Sequence, residues 1–167
     1  MKYLIVILML FSIAFTSVAQ NDSKNKKAIN FKLEDVDGNI VELKKEIGNG
    51  PILLAFWATW CKPCVEEMAE YNKIYKEYKS KGFKLLAISI DNEKSLSKVK
   101  PYVKSKKYEF PVLQDINSEV ARKYYAQAVP YTVIIDKDGK IIYTHLGYMK
   151  GDELQVKKII EEQLNIK

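Results

Sequence analysis

The sequence predicts an α/β protein in which helices cover both faces of a central mixed sheet. Two apolar runs, 52–57 and 83–90, have the length and composition of buried strands, and a stretch with helical spacing of apolar residues separates them. Asp-Gly pairs at 37–38 and 138–139 lie between alternating apolar residues, which is typical of β-hairpins. Strands that alternate with helices and end in a hairpin predict a mixed sheet rather than a purely parallel one.

The first predicted element is an N-terminal β-hairpin. Apolar residues alternate with polar ones on both sides of the turn at 37–38, namely Ile29, Phe31 and Leu33 before it and Ile40, Val41 and Leu43 after it. The segment 48–51, Gly-Asn-Gly-Pro, then interrupts the chain before the buried strand 52–57.

A long helix is predicted to begin near Cys61 and to end at Gly82. Its apolar face is marked by residues at helical spacing, namely Val65, Met68, Tyr71, Tyr75 and Tyr78. The later elements are, in order, strand 83–90, helix 95–106, strand 110–113, a helix 118–125 capped by Asn117, strands 131–136 and 140–145, and a last helix that Asp152 caps and that runs to about Leu164.

Residues 1–19 are predicted to be a secretory signal peptide. A basic residue, Lys2, precedes an almost wholly apolar stretch at 3–18, and Ser17 and Ala19 are the small residues that a signal peptidase reads. The apolar stretch is shorter than the roughly 20 residues that a spanning helix needs. A leader retained as a membrane anchor is the alternative, and either leader predicts a periplasmic or otherwise extracytoplasmic protein.

The rest of the chain has the composition of one globular domain. Residues 20–27 are polar and predict a disordered lead-in, and residues 28–167 form the domain. The formal net charge is +6, but the basic residues are almost all lysines interleaved with acids, and Arg122 is the only arginine. Nucleic-acid binding favours clustered arginines with stacking aromatics, so this composition argues against a nucleic-acid partner.

Cys61 and Cys64 form a Cys-x-x-Cys motif that follows closely after the buried strand 52–57. A strand that delivers this motif to the start of a helix is typical of a thiol–disulfide redox site. A bridge between cysteines three residues apart closes a very small loop and constrains little of the unfolded chain, so a structural staple is the weaker interpretation.

The start of the long helix favours a division of labour between the two cysteines. Unpaired N–H groups and the helix dipole there lower the pKa of a thiol, and Lys62 adds a positive charge beside Cys61. Pro63 is tolerated in the first turn of a helix. We expect Cys61 to attack a substrate disulfide and Cys64, one turn further into the helix and more buried, to resolve the mixed disulfide.

Two further residues are ambiguous from spacing alone. Glu67 lies three residues after Cys64, so it is either a base that takes the proton of Cys64 or a solvated surface glutamate. Pro130, which follows Val129, is either an ordinary turn proline or the site of a cis peptide bond, which about 5–6% of X–Pro bonds adopt.

Three stretches together resemble the exported TlpA/ResA-like thiol–disulfide oxidoreductases of the thioredoxin superfamily. They are Phe-Lys-Leu-Glu-Asp-Val-Asp-Gly at 31–38, Phe-Trp-Ala-Thr-Trp-Cys-Lys-Pro-Cys at 56–64, and Val-Pro-Tyr-Thr at 129–132 followed by Ile-Asp-Lys-Asp-Gly-Lys at 135–140. The resemblance runs from about Ala28 to Leu164. It implies a thioredoxin-like fold with an N-terminal hairpin and a strand–helix insert around 91–125.

The resemblance also implies roles for single residues. Cys61 would be the nucleophile, Cys64 the resolving thiol, Glu67 the active-site glutamate and Pro130 a cis-proline that faces the cysteines. The substrate-binding residues would be Trp60, Lys62, Pro63, Val129 and Pro130. The redox-active disulfide would serve in place of a cofactor, and no metal is expected.

The implied partners are exported proteins that carry disulfides, with apocytochrome c as a family-typical substrate, and a membrane thiol reductase as the electron donor. Two positions depart from related patterns. Cytoplasmic thioredoxins carry a buried Asp where this chain has Ala55, so Glu67 is expected to supply the base. Tyr131 follows the proline where Thr or Ser is common, which leaves the substrate preference open.

Other functions remain open from the sequence. Because Lys62 stabilises a thiolate, a disulfide oxidase or isomerase is an alternative. A peroxiredoxin-like peroxidase is less favoured, since Leu54 stands where the Pro-x-x-x-Thr-x-x-Cys pattern has proline. A copper or zinc module would have only the two thiols and His145, whereas structural zinc takes four protein ligands.

Overall fold

The structure is a computed structural model that describes residues 26–166 of the 167-residue chain. The predicted signal peptide and the first part of the predicted lead-in lie outside the described residues. Seven strands are present in this range: β1 (Lys32–Glu34), β2 (Ile40–Glu42), β3 (Ile52–Trp57), β4 (Lys84–Ser89), β5 (Val112–Gln114), β6 (Tyr131–Ile135) and β7 (Ile141–Leu146).

The strands form two sheets. β1 and β2 are an antiparallel hairpin, as predicted. The other five form a mixed sheet in the order β5-β4-β3-β6-β7, in which β3, β4 and β5 are parallel and β6 and β7 are antiparallel to their neighbours. The predicted central mixed sheet is therefore confirmed, and β3, which leads to the cysteines, lies at its centre.

Within residues 26–166, five α-helices accompany the sheet: α1 (Leu43–Glu46), α2 (Lys62–Tyr78), α3 (Leu96–Lys106), α4 (Glu119–Lys123) and α5 (Asp152–Gln163). A 3-10 turn, Lys79–Lys81, extends α2 to Gly82. The segment around 91–125 contains α3, β5 and α4, which corresponds to the implied insert and adds β5 at one edge of the sheet.

Helices pack on both faces of the sheet because side chains alternate along β3. Leu53, Ala55 and Trp57 pack in one core with residues of α2, α3 and α5. Ile52, Leu54 and Phe56 pack in a second core with residues of α1 and α4. All six residues of β3 are buried, as their continuous apolar run predicts.

Two predicted helix caps are wrong. Asn117 does not cap α4; the carboxylate of Asp115 accepts hydrogen bonds from the N–H groups of Val120 at 3.2 Å and Ala121 at 2.8 Å. A turn closed by the N–H of Ser118 on the carbonyl of Asp115 brings that carboxylate under the start of the helix. Asp152 is the first residue of α5 rather than its cap.

Three predicted boundaries also change. Leu43 begins the short helix α1 instead of ending the hairpin. The strand predicted at 110–113 is observed at Val112–Gln114. Within the predicted lead-in, the carbonyl of Lys26 accepts the N–H of Ile141 at 2.9 Å and Lys27 pairs with Lys140, so these two residues belong to the folded domain.

Gly82, which follows the 3-10 turn, is expected to be intolerant of alanine. Its φ is +98°, and an added Cβ would lie 2.6 Å from the carbonyl oxygen of Asn49. Left-handed backbone costs about 1–2 kcal/mol for a residue with a Cβ, and overpacking adds about 1–3 kcal/mol. Gly147 has φ +87° with nothing within 4 Å of an added Cβ, so Gly147→Ala is the matched control.

The measurement is urea unfolding of both glycine variants beside the unsubstituted protein. We expect Gly82→Ala to lose more stability than Gly147→Ala, since only Gly82 faces a backbone atom. Equal losses would show that the contact with Asn49 relaxes without cost.

Candidate active site

Cys61 and Cys64 are joined by a disulfide at the start of α2. Their Cα atoms are 5.3 Å apart, and no free cysteine is present. Cys61 keeps 6% of its surface exposed, whereas Cys64 is fully buried. The difference predicted from their positions on the helix is therefore observed, and of the two cysteines only Cys61 has any surface open to solvent.

Cys61 is the N-cap residue of α2. The N–H of Cys64 points at the Cys61 sulfur, with 3.3 Å between nitrogen and Sγ. Pro63 occupies the first turn, where its missing N–H breaks no helical hydrogen bond. In the reduced protein this N–H and the helix dipole favour a thiolate on Cys61.

Val129 and Pro130 immediately precede β6, and Val129 lies beside the disulfide. The peptide bond between them is cis, as the resemblance implies. The carbonyl oxygen of Val129 lies 3.7 Å from the Cys61 sulfur, and the carbonyl of Pro130 accepts the N–H of Gly147 at 2.8 Å. In the reduced protein a Cys61 thiol could donate to the Val129 carbonyl.

The surface around Cys61 is formed by the other predicted binding residues. Trp60 is 63% exposed, and Lys62 and Pro63 are exposed as well. An exposed aromatic side chain next to an accessible sulfur and a basic side chain gives a partner both apolar and electrostatic contacts.

Glu67 is buried, with 1% of its surface exposed, so the alternative of a solvated surface glutamate is wrong. Its Oε1 accepts hydrogen bonds from the hydroxyls of Tyr71 at 3.0 Å and Thr132 at 3.2 Å. Those two hydroxyls are 2.9 Å apart. Its Oε2 is buried without a hydrogen-bond partner among the described residues.

Burial is the main cause of an unusual acidity at Glu67. Loss of solvation raises its pKa from 4.5 to about 7, the nearby charge of Asp152 raises it further, and the hydrogen bonds from Tyr71 and Thr132 oppose the rise. Burial likewise raises the pKa of Tyr71, so its hydroxyl keeps its proton. A carboxyl group that titrates near neutral pH can exchange protons with a thiol.

Sequence reasoning assigned no role to Asp91, which fixes the loop before Cys61. Asp91 is fully buried. Its carboxylate accepts the Thr59 N–H at 2.8 Å, the Thr59 hydroxyl at 2.6 Å and the Ser89 hydroxyl at 2.8 Å. Its place just after the central parallel strand β4 was a usable signal, because ligand and active sites lie at the carboxyl ends of such strands.

Asp91→Ala is expected to lower both stability and activity. The change leaves one buried donor, the Ser89 hydroxyl, and two part-buried donors on Thr59 without their acceptor, which costs about 3 kcal/mol, and it frees the loop that sets the position of Cys61. We expect the rate of insulin disulfide reduction to fall by about tenfold.

The matched control is Asp136→Ala. Asp136 accepts two N–H groups in the β6–β7 turn, at the opposite end of β6 from Pro130. Rates are compared at a temperature where both variants are folded by circular dichroism. An equal rate loss in Asp136→Ala would show that the effect of Asp91 is one of general stability.

Tyr71 and Thr132 are the other residues whose place in the site sequence reasoning missed. Tyr71 was predicted only as part of the apolar face of the long helix. Thr132 was noted within a family stretch, without a role. Tyr71 follows Glu67 by one helical turn, so the spacing was a usable signal once Glu67 is known to point inward.

His145 does not join the cysteines. It lies on β7, where its Nε2 is 3.2 Å from an Asp152 carboxylate oxygen. Within residues 26–166, no group of three or more His, Cys, Asp or Glu side chains could hold a metal ion. In the same range, no helix has the length and apolar character needed to cross a membrane.

Comparison with known proteins agrees with this geometry. Residues 25–144 match the AhpC/TSA family. The thiol-disulfide oxidoreductase ResA of Bacillus thuringiensis subsp. konkukian is 40% identical over 139 residues, which cover 83% of this chain and 75% of that protein. The ResA of Bacillus subtilis is 35% identical, covering 76% and 69% respectively.

Solved structures point the same way. A putative thiol:disulfide interchange protein DsbE from Chlorobium tepidum superimposes with a TM-score of 0.78 at 28% identity, over 84% of this chain and 97% of that one. A putative protein disulfide isomerase from Bacteroides thetaiotaomicron gives 0.76 at 26% identity, over 85% and 90%. The chain therefore belongs to the AhpC/TSA family and is a ResA-like thiol–disulfide oxidoreductase of the thioredoxin superfamily, with Cys61–Cys64 as its redox disulfide.

Proposed function

We propose that this protein reduces disulfides of exported proteins, with apocytochrome c as the favoured substrate. The observation that carries the proposal is the asymmetry of the cysteine pair. Cys61 is accessible at the N-terminus of α2, whereas Cys64 is sealed from solvent on the same helix as the buried Glu67. This arrangement suits attack by one sulfur and intramolecular release by the other.

In the first step, the Cys61 thiolate attacks one sulfur of the substrate disulfide. A bond forms between Cys61 and the substrate, the substrate S–S bond breaks, and the first substrate sulfur leaves as a thiolate. The N–H of Cys64 and the dipole of α2 stabilise the attacking thiolate.

In the second step, Cys64 attacks the Cys61 sulfur. The Cys61–Cys64 disulfide forms, the bond from Cys61 to the substrate breaks, and the second substrate sulfur leaves. Glu67 takes the proton of Cys64, directly or through a water molecule. The substrate gains two electrons, this protein loses two, and the substrate thiolates take up two protons from the medium.

Binding is assigned to the residues around the accessible sulfur. Trp60, Lys62 and Pro63 contact the substrate from the helix side, and Val129 and Pro130 contact its backbone from β6. The short distance between the Val129 carbonyl and the Cys61 sulfur supports this assignment, since a substrate sulfur bonded to Cys61 would lie beside that carbonyl.

Export and the electron supply complete the proposal. The apolar N-terminal stretch supports an extracytoplasmic location, where a membrane thiol reductase is the proposed donor that returns Cys61–Cys64 to the dithiol. Without such a donor each molecule would reduce a single disulfide.

The test mixes the reduced domain with two disulfide substrates. One is a peptide that carries the Cys-x-x-Cys-His haem-attachment site of a c-type cytochrome in its oxidised form, and the other is insulin as a general disulfide. We expect both to be reduced, and the haem-site peptide faster. Equal rates would contradict the preference for apocytochrome c, and no reduction of either would contradict the reductase function.

A further inference from the structure

The carboxylate of Glu67 is held by one oxygen only. Oε1 receives two hydroxyl donors, from Tyr71 at 3.0 Å and Thr132 at 3.2 Å, and Oε2 has no partner among the described residues. Two donors on a single oxygen suit an ionised carboxylate, because charge-assisted hydrogen bonds are about twice as strong as neutral ones. The two oxygens of Glu67 are therefore not equivalent.

The two donors come from different elements and meet at one point. Tyr71 lies four residues after Glu67 on α2, and Thr132 lies on β6. Their hydroxyl oxygens are 2.9 Å apart, and Glu67, Tyr71 and Thr132 are all buried. A helix and a strand thus fix the carboxylate from two directions, and the bond to Thr132 ties α2 to β6, the neighbour of the central strand β3.

Thr132 lies opposite a small side chain on the neighbouring strand. It is the register partner of Ala55 on β3. Both Thr132 and Ala55 are fully buried. Neither Ala55 nor Thr132 has a carboxylate. The carboxylate that contacts Thr132 is that of Glu67, which belongs to α2.

The other titratable groups around Glu67 do not stabilise its ionised form. Asp152 on α5 repels it, and Tyr143 on β7 and Tyr148 in the loop before α5 interact unfavourably with its charge. His145 is engaged with Asp152. The cysteines carry no charge while they form the disulfide. Among these neighbours, the two hydroxyls are thus the groups that favour the anion.

We propose that Tyr71 and Thr132 are positioning residues that hold Oε1 of Glu67, stabilise the ionised carboxylate, and so make Oε2 the atom that takes the proton of Cys64. When the mixed disulfide resolves, the proton leaves Cys64 Sγ for Oε2, the S–S bond between Cys64 and Cys61 forms, and the substrate sulfur leaves with the bonding electron pair. This inference rests on the proposed function of Glu67 as the base.

The first test measures Glu67 alone, in the oxidised protein, where the cysteines do not titrate. Carbon-13 NMR of the glutamate carboxyl groups follows the ionisation of Glu67 with pH, assigned by its loss in Glu67→Gln. In the unsubstituted protein we expect a pKa of about 7. In Tyr71→Phe and in Thr132→Val we expect it to rise by about one pH unit, a tenfold weaker acid.

Two controls separate the hydroxyls from general perturbation. Thr132→Ser keeps the hydroxyl and should leave the Glu67 titration unchanged. Comparing Thr132→Ser with Thr132→Val therefore tests the role of the hydroxyl even if Tyr71→Phe does not fold. Tyr143→Phe removes a half-buried hydroxyl that does not bond to Glu67 and should not raise its pKa. An unchanged Glu67 titration in both Tyr71→Phe and Thr132→Val would overturn the proposal.

The second test follows the release step. The mixed disulfide between Cys61 and a chromogenic aromatic thiol is formed, and the rate of thiol release is recorded against pH. We expect the midpoint of this profile to move upward in Thr132→Val by the same amount as the Glu67 titration. If the Glu67 pKa rises in Thr132→Val but the midpoint of the release profile stays the same, the proton route through Oε2 is overturned. The disulfide reductase function would not be affected by that result.

Discussion

Cys61→Ser is expected to abolish disulfide exchange, whereas Cys64→Ser is expected to stop the reaction at a mixed disulfide. Cys61 keeps a small exposed surface and Cys64 is fully buried, so we expect a substrate to bond only to the first. Without Cys64 the intramolecular attack cannot occur, and the covalent complex persists. Mass spectrometry of the reduced variants after incubation with insulin measures both outcomes.

The double variant, with serine at both positions, is the control for non-covalent association. We expect a covalent adduct in Cys64→Ser and none in Cys61→Ser. Turnover that survives in Cys61→Ser would contradict the assigned order of attack, and an adduct on Cys64 in that variant would show that the buried sulfur becomes accessible when the disulfide is open.

Glu67→Gln is expected to slow release of the substrate while it stabilises the folded protein at alkaline pH. Burial raises the pKa of Glu67 to about 7, so the folded protein holds a proton that the unfolded chain has already lost above its ordinary pKa of 4.5. The free energy of unfolding therefore falls as pH rises from about 4.5 to about 7 and then levels off. Over this range the unfolded chain gains from ionising Glu67, whereas the folded protein still keeps it protonated.

The size of this loss of stability follows from the rise in the pKa of Glu67. A rise from 4.5 to about 7 corresponds to about 3 kcal/mol of destabilisation at pH 8.5 relative to pH 4. Glutamine does not ionise and keeps an oxygen to accept from Tyr71 and Thr132, so it avoids this loss. Urea unfolding of the disulfide form should therefore show Glu67→Gln to be the more stable protein at pH 8.5, with the advantage vanishing near pH 4.

Glu70→Gln is the matched control, since Glu70 lies on the same helix in a partly exposed pair with Lys73. We expect little change in either its stability or its activity. In Glu67→Gln the release step should slow by about a hundredfold near neutral pH, as expected for loss of a general base. A stability difference that does not depend on pH would contradict the raised pKa of Glu67.

The elements around the cysteines could be predicted because local signals and packing agree there. The six consecutive apolar residues of β3 indicate a buried strand, and Cys61 and Pro63 mark the start of α2. The hairpin turns at 37–38 and 138–139 are also observed, since Asp-Gly pairs suit the backbone of a tight turn.

The wrong or missing predictions arise where residues distant in the sequence determine the local contacts. Asn117 is a good cap by type, but a turn places Asp115 under the N-terminus of α4 instead. Whether Glu67 points inward depends on Thr132, which is 65 residues away in the sequence. Asp91 likewise acquires its role from Thr59, 32 residues before it. Spacing along one helix or strand contains no information about such contacts.

The sequence leaves open a disulfide reductase and a disulfide oxidase or isomerase. These functions differ in how stable the dithiol form of Cys61 and Cys64 is. The N–H of Cys64, the dipole of α2 and Lys62 all favour a thiolate on Cys61, which makes a couple more oxidising. The buried Cys64 beside an acidic side chain opposes this, because a second negative charge there would be costly. The balance between these effects sets the direction of electron flow.

The reduction potential of the Cys61–Cys64 couple tests the central claim most directly. It is measured on residues 20–167, equilibrated with thiol buffers of defined potential and analysed after alkylation of free thiols. A reductase is predicted to have a value near or below about −250 mV, close to the about −270 mV of thioredoxin. A value near the about −120 mV of DsbA would contradict the proposed reductase function and make this protein an oxidant of protein thiols.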